Sequence, residues 1–392
     1  MDRKTIVDLM KDVYTSSEAA EYLNISMQRL NQLVHDKKIF PIKVSKSSML
    51  FLKSDLEKRV ISNISNKQAK NSLNKFNIDV PYVRDAILYY TIQQYFNNND
   101  NRTSKYIEQI TLTNDFNFRA GLENNIPKLA NLLKISKNEF YSKYLFVKEC
   151  FQNLTEDVVL IKKDNEVYSK LLANTESASP YLFLKGDVHL LNEKSVCVVG
   201  SRNASNGSME KTVRLVQSLI KRNIVVNAGL AKGIDTATHS AALKCGGRTI
   251  AVIGTPINQY YPKENKELQI EIEKKGLVVS QFPPCNSINR WNFPMRNGVM
   301  SGISLATIIM EAGETSGALK QADYALKQGR AVLIPKSAIE NNAITWPKKY
   351  VEKGAKIFET LKDVLILLNK VNRLDNIFSN KDLEEITNVE MD

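Results

Sequence analysis

Between Lys194 and Lys370 the chain alternates short, continuously apolar runs with longer stretches whose apolar residues recur every three or four positions. The short runs are Val196–Val199, Ile224–Asn227, Thr249–Ile253, Leu277–Ser280, Ala306–Met310 and Ala331–Ile334, and their β-branched content predicts strands. The stretches Met209–Lys221, Asp235–Lys244, Glu264–Lys274, Met295–Ser301 and Ser316–Lys327 predict helices. Strands spaced about 25 residues apart with a helix between them imply βαβ units and a parallel sheet. The strands lack polar alternation, so both sheet faces should be covered by helices. The expected fold class is α/β, a parallel sheet with helices on both faces over residues 155–370.

Upstream the pattern changes. Residues 63–154 are rich in Asn, Lys and aromatics and poor in Gly. Helical spacing of Val83, Ala86, Ile87, Tyr90 and Ile92, and of Ile126, Leu129, Leu132 and Leu133, predicts a small all-α region there. The stretch from Asn153 to Lys185 reads as a connector, and residues 371–392 as an acidic tail, frayed or flexible. Residues 1–62 hold a short helical pair and a strand-like stretch. Thr15 or Ser16 would cap the first helix, Asn24 would make the turn, and Ser26 would cap the second.

Composition narrows the class. At 392 residues the chain needs two or three domains. Hydrophobic residues at 43% and charged residues at 24% are those of a soluble globular protein, and no apolar run is long enough to span a membrane. The charge-rich N-terminus is not a secretory signal, and Cys150, Cys197, Cys245 and Cys285 are too dispersed for a disulfide framework or zinc site, which fits a cytoplasmic protein. Three histidines add no metal-ligand set, and no P-loop occurs, so neither a metal nor any other cofactor is implied. A net charge of +12 points to a polyanionic partner.

The unusual residues follow the strands. Gly200-Ser201-Arg202 comes after the first, and Gly229-Leu230-Ala231-Lys232-Gly233-Ile234-Asp235 after the second. Gly254 follows the third, Gln281 to Asn297 the fourth, and Glu311 to Gly317 the fifth. In a parallel sheet all these loops emerge at one edge, where open α/β folds bind ligands. Glycine turns and helix N-termini suit phosphate, and Arg202, Lys232, Arg290 and Arg296 add full charges. Trp291, Phe293, Tyr260 and Tyr261 offer faces for base stacking. Plainer roles compete: Asp235 as a helix N-cap, His239 as a packed histidine, Trp291 as core at even odds.

These motifs, VCVVGSR, VVNAGLAKGIDTATHSAALKCGGRTIAVIGT, RWNFPMRN and MEAGETSGALKQADYALKQGRAV, resemble the DNA-processing protein A (DprA, also called Smf) family across about Tyr168 to Pro335. The resemblance implies an extended Rossmann-like fold that binds single-stranded DNA, acts without catalysis, helps load a RecA-type recombinase and forms a homodimer. It places phosphates on Arg202 and Arg290, within a groove of Gly200, Ser201, Gly229, Lys232, Gly233, Arg296 and Asn297, and a base on Phe293. Arg296-Asn297-Gly298 replaces the family's usual Arg-Asn-Arg, and the family's frequent C-terminal winged helix is not evident.

The N-terminal segment resembles an excisionase or MerR-type helix-turn-helix. Gln28, Arg29, Asn31 and Gln32 would face duplex DNA, and Lys43, Lys46 and Lys53 on a hairpin wing would touch phosphates. Two other functions stay open. One is a nucleotide or metabolite sensor or nucleotide hydrolase on the same scaffold, with Glu311, Asp235 and His239 as the acid–base candidates; the other is a duplex-binding regulator.

Overall fold

The computed structural model describes residues 13–23, 25–36, 38–45, 49–56, 76–113 and 122–371. Asn24, Lys37, Lys46, the start of the all-α region and the tail from 372 lie outside the described residues. The chain divides into two compact units, Met1–Glu166 and Val167–Asp392.

The first unit opens with strand β1 (Val13–Thr15), helix α1 (Ser16–Tyr22), helix α2 (Met27–His35) and strands β2 (Lys43–Val44) and β3 (Met49–Leu52). Thr15 caps α1 in a reciprocal box with Glu18, and Ser26 Oγ caps α2 by accepting from Arg29 N. β3 pairs antiparallel with both β1 and β2. Tyr14, Ala19, Tyr22, Leu30, Leu33 and Phe51 close a small core.

The helical region follows as α3 (Pro81–Gln93), α4 (Asp100–Thr113), α5 (Leu122–Leu132) and α6 (Lys137–Gln152), joined by Leu88, Ile92, Ile110, Leu129 and Phe140. Strand β4 (Val158–Lys162) comes next.

The second unit carries β5 (Tyr181–Gly186), β6 (Ser195–Val199), α7 (Asn206–Ile220), β7 (Val225–Ala228), α8 (Ile234–Lys244), β8 (Thr249–Ile253), α9 (Lys266–Lys275), β9 (Leu277–Ser280), α10 (Asn292–Gly302), β10 (Ala306–Ile309), α11 (Gly317–Lys327), β11 (Ala331–Pro335), α12 (Trp346–Glu352), β12 (Lys356–Phe358) and α13 (Leu361–Val371). Within this unit the strands run in the order β12-β11-β10-β6-β7-β8-β9-β5. Every pairing from β12 to β9 is parallel; β5 joins β9 antiparallel. The strands from β6 to β10 are buried along their whole length, as their unbroken apolar sequence demands. α7 packs Leu215, Val216 and Leu219 onto one face, joined there by α13 through Val364, Leu365 and Leu368.

The stretch read as a connector instead contains β4 and β5. Tyr181-Leu182-Phe183-Leu184 is one apolar run without a following helix, so the βαβ rhythm does not reveal it.

The strand order reverses at β6: the chain steps outward through β7, β8 and β9, then returns to place β10 on the other side of β6. The carboxyl ends of β6 and β10 therefore flank a topological switch point, the usual ligand crevice of open α/β sheets.

Candidate nucleic-acid interface

The loops after β6, β7 and β10 are stitched together by their own backbone. Ser201 N donates to Glu311 O at 2.7 Å, and Ile234 N donates to Ser201 O at 3.2 Å. Gly233 has φ +72°, and a Cβ there would lie 2.2 Å from Ser201 O, so only glycine permits this approach. Gly200 lies under the same junction, facing Ile234 and Glu311 O.

Four of the loop amides at this edge, those of Ser201, Ser205, Gly229 and Ala231, are already committed. Gly229 N and Ala231 N donate to Asp235 Oδ2 at 3.0 and 3.2 Å. Burial pushes the Asp235 carboxyl above its ordinary value, against the pull of Arg296 and these two amides. Gly233 occupies the N-cap of α8, so Asp235 holds the loop instead of capping the helix. At the N-terminus of α7, Ser205 N and Oγ donate to Glu311 Oε2 at 3.1 and 2.6 Å. Burial would raise Glu311, but the bonds to Ser205 and Ser208 prevail and hold its carboxyl below the usual range. His239 is fully buried with Nδ1 2.8 Å from Thr249 Oγ1, and burial pushes it down to about 3, leaving it neutral. Asp235 and His239 are thus enclosed in the scaffold, while Glu311 is partly exposed and held by Ser205.

Arg296 corrects the sequence reading most. It is 5% exposed and turns inward from α10, donating from Nη1 to the carbonyls of Gly229 and Val252. Its Nε donates to Asn297 Oδ1 at 3.2 Å, and Asn297 Nδ2 donates to Gly317 O at 3.4 Å. Arg296 and Asn297 therefore brace the floor of the crevice and offer no charge to a strand.

Lys232 is exposed, but its Nζ donates to Glu264 Oε1 at 2.7 Å. Arg202 and Arg290 are exposed and make no ion pair among the described residues. Phe293 is half-buried, its ring against Gly254 and 5.2 Å from the ring of Tyr261. The carboxyl edge of the sheet thus keeps two exposed arginines and, beside the end of β8, a partly exposed aromatic pair.

Sequence reasoning missed Asn265. Its Nδ2 donates to Leu230 O, Ala231 O and Thr236 Oγ1, fixing a loop in which Leu230 holds φ +59°. A buried Asn beside a strained turn leaves no periodic trace in the sequence.

On α2, Gln28, Arg29, Asn31 and Gln32 are all exposed, although Gln32 is tied to Asp36 at 2.8 Å. Lys43 is exposed on β2. Lys53 is not: its side chain is 17% exposed and lies 3.9 Å from Asp164, so the expected phosphate contact is taken by a carboxylate.

Fold and site together define a Rossmann-like protein with exposed arginines and an aromatic pair along the carboxyl edge of its sheet, and a capped helix pair with a hairpin at its N-terminus. The sequence profile of DNA recombination-mediator protein A matches residues 159–369, and a helix-turn-helix domain profile matches residues 13–62. The chain belongs to the DNA recombination-mediator protein A family. It is 37% identical over 201 residues to DNA processing protein DprA of Streptococcus pneumoniae, covering 51% of this chain and 71% of that one. It is 31% identical over 236 residues to DNA processing protein DprA of Bacillus subtilis, covering 60% and 79%. The solved Streptococcus pneumoniae DprA structure superposes with a TM-score of 0.59 at 30% identity, covering 71% of this chain and 97% of that chain. Among the described residues no helix is long and apolar enough to cross a membrane.

Proposed function

We propose that the second unit binds single-stranded DNA along the β6–β10 crevice, without catalysis, and passes it to a RecA-type recombinase in the cytoplasm. The observation that carries this reading is the commitment of four loop amides beneath the exposed arginines. A free nucleotide in a phosphate nest needs unsatisfied N–H groups. Here the amides of Ser201, Ser205, Gly229 and Ala231 already have partners within the protein. What faces solvent is Arg202, Arg290 and an aromatic pair, which suits a strand's spaced phosphates and stackable bases. Recombinase hand-over and a homodimeric state are part of the same proposal, supported by membership of a recombination-mediator family. The N-terminal module adds duplex contact through Gln28, Arg29, Asn31 and Lys43.

The test is fluorescence anisotropy of labelled oligo-dT with the full chain, competed by matched duplex and by mononucleotides. Displacement by unlabelled oligo-dT, but not by millimolar mononucleotide, is expected. Tight mononucleotide binding, or turnover of the nucleotide, would overturn the proposal in favour of a sensor or hydrolase.

A further inference from the structure

Trp291 and Trp346 are the two tryptophans of the chain, and they sit in opposite environments. Trp346 is 2% exposed, with Nε1 donating to Ala312 O at 2.8 Å. Trp291 is 74% exposed, which settles the even choice between core and surface that the sequence leaves open. Its backbone is nonetheless fixed. It is the N-cap residue of α10, Met295 N donates to Trp291 O at 3.1 Å, and the following Asn292 is buried with its N donating to Asn289 O at 3.1 Å. A rigid backbone thus presents a large, solvated ring, which costs little conformational entropy when it is covered.

Phe293 takes a different position two residues on. One side of its ring lies over Gly254, so close that a Cβ there would be 2.6 Å from Cδ1, and Tyr261 stands beside it, tilted by 46°. That ring is therefore covered on one side only, whereas Trp291 is open to solvent. Ile288 and Met295 are also exposed, at 41% and 43%, around Arg290 and Trp291. From Gln281 to Met310 the chain has no Asp or Glu, so the only charges on this stretch are the arginines at 290 and 296. An apolar surface set beside an unopposed exposed cation is complementary to a base and its phosphate.

We propose that Trp291 is a second, outer stacking position for a base of the strand bound at the crevice, with Arg290 holding the adjoining phosphate. Phe293 and Tyr261 form the inner position, so the crevice takes at least two bases at this end. The proposal rests on the single-strand reading above and adds to it a named residue and a number of bases.

The experiment reads tryptophan emission from the full chain during titration with oligo-dT, and in parallel with an abasic phosphodiester chain of equal length. Two variants separate the signals: Trp291→Phe leaves Trp346 alone, and Trp346→Phe leaves Trp291 alone. Stacking predicts that oligo-dT quenches emission in the native and Trp346→Phe proteins and shields it from iodide. The abasic chain should bind with much less quenching, and Trp291→Phe should show no change on binding. Trp291→Ala should weaken oligo-dT affinity about tenfold, with an unchanged salt slope. If oligo-dT binds the native protein while Trp291 emission and Trp291→Ala affinity stay unaltered, the outer position is overturned and the single-strand reading survives. If no oligo-dT binds at all, both fall. A shift of Trp291 emission with protein concentration alone, abolished by Trp291→Ala along with self-association, would make the patch a contact between copies and overturn the proposal.

Discussion

Arg296 occupies the space where a side chain at Gly229 would stand: a Cβ on Gly229 would lie 2.1 Å from Arg296 Nη1. The glycine that looks like a phosphate turn is there to admit a guanidinium, which ties the ends of β7 and β8 to α10. Gly229→Ala should therefore destabilise the fold by about 2–4 kcal/mol. Arg296→Met should cost about 3–5 kcal/mol, because it leaves two buried carbonyls without their donor and Asp235 without its counter-charge. Urea unfolding measures both. The salt slope of oligo-dT binding in folded Arg296→Met should match the native slope, unlike that of a variant lacking a phosphate contact.

Glu264 neutralises Lys232 at the rim of the crevice. Hydrogen bonding from Lys232 lowers the Glu264 carboxyl, so the pair stays charged at neutral pH. Glu264→Gln should release the ammonium for a phosphate, tightening oligo-dT binding and steepening its salt dependence while leaving stability unchanged. Weaker binding on this substitution would show that Lys232 needs Glu264 to hold it in place.

The buried neutral His239 makes stability depend on pH. Its folded value, pushed down to about 3 by burial and by Arg296, lies below its ordinary 6.5. Between those limits the unfolded chain takes up a proton that the folded chain refuses. Its contribution is therefore complete above pH 6.5 and declines as pH falls, by up to about 1.4 kcal/mol per pH unit. Urea midpoints measured from pH 4 to pH 6 should show a shallower slope in His239→Gln than in the native protein. Parallel slopes would mean that other groups carry the acid sensitivity.

The N-terminal module should act on duplex independently of the crevice. Arg29→Ala removes an exposed charge from α2 and should lower duplex affinity several-fold without altering oligo-dT affinity. Equal losses on both ligands would mean that α2 also contributes to single-strand binding.

The second unit was legible in the sequence because unbroken runs such as Val225–Ala228 and Thr249–Ile253 have little use outside a covered parallel sheet. β5 was not, because an antiparallel edge added before the first βαβ unit breaks no rhythm. Spacing placed Arg202, Arg290 and Phe293 after the carboxyl ends of strands, where the structure has them. It could not say which way a side chain turns once it is there. Arg202 and Arg296 are the same residue type, one in the loop after β6 and the other on α10, yet one is exposed and the other is consumed by carbonyls. That difference arises from where the chain brings Gly229 and Val252, which no local pattern records. Trp291 and Trp346 divide in the same way, each beside a helix start and a proline, with opposite burial.

The most direct test of the crevice assignment is the salt dependence of oligo-dT affinity in native protein, Arg202→Ala and Arg290→Ala. Each variant should bind more weakly, and the slope of log K against log salt should fall by about 0.7 for each lost phosphate contact. Both variants folded, with native affinity and native slope, would contradict the assignment and move the strand, if one binds, away from the β6–β10 switch point.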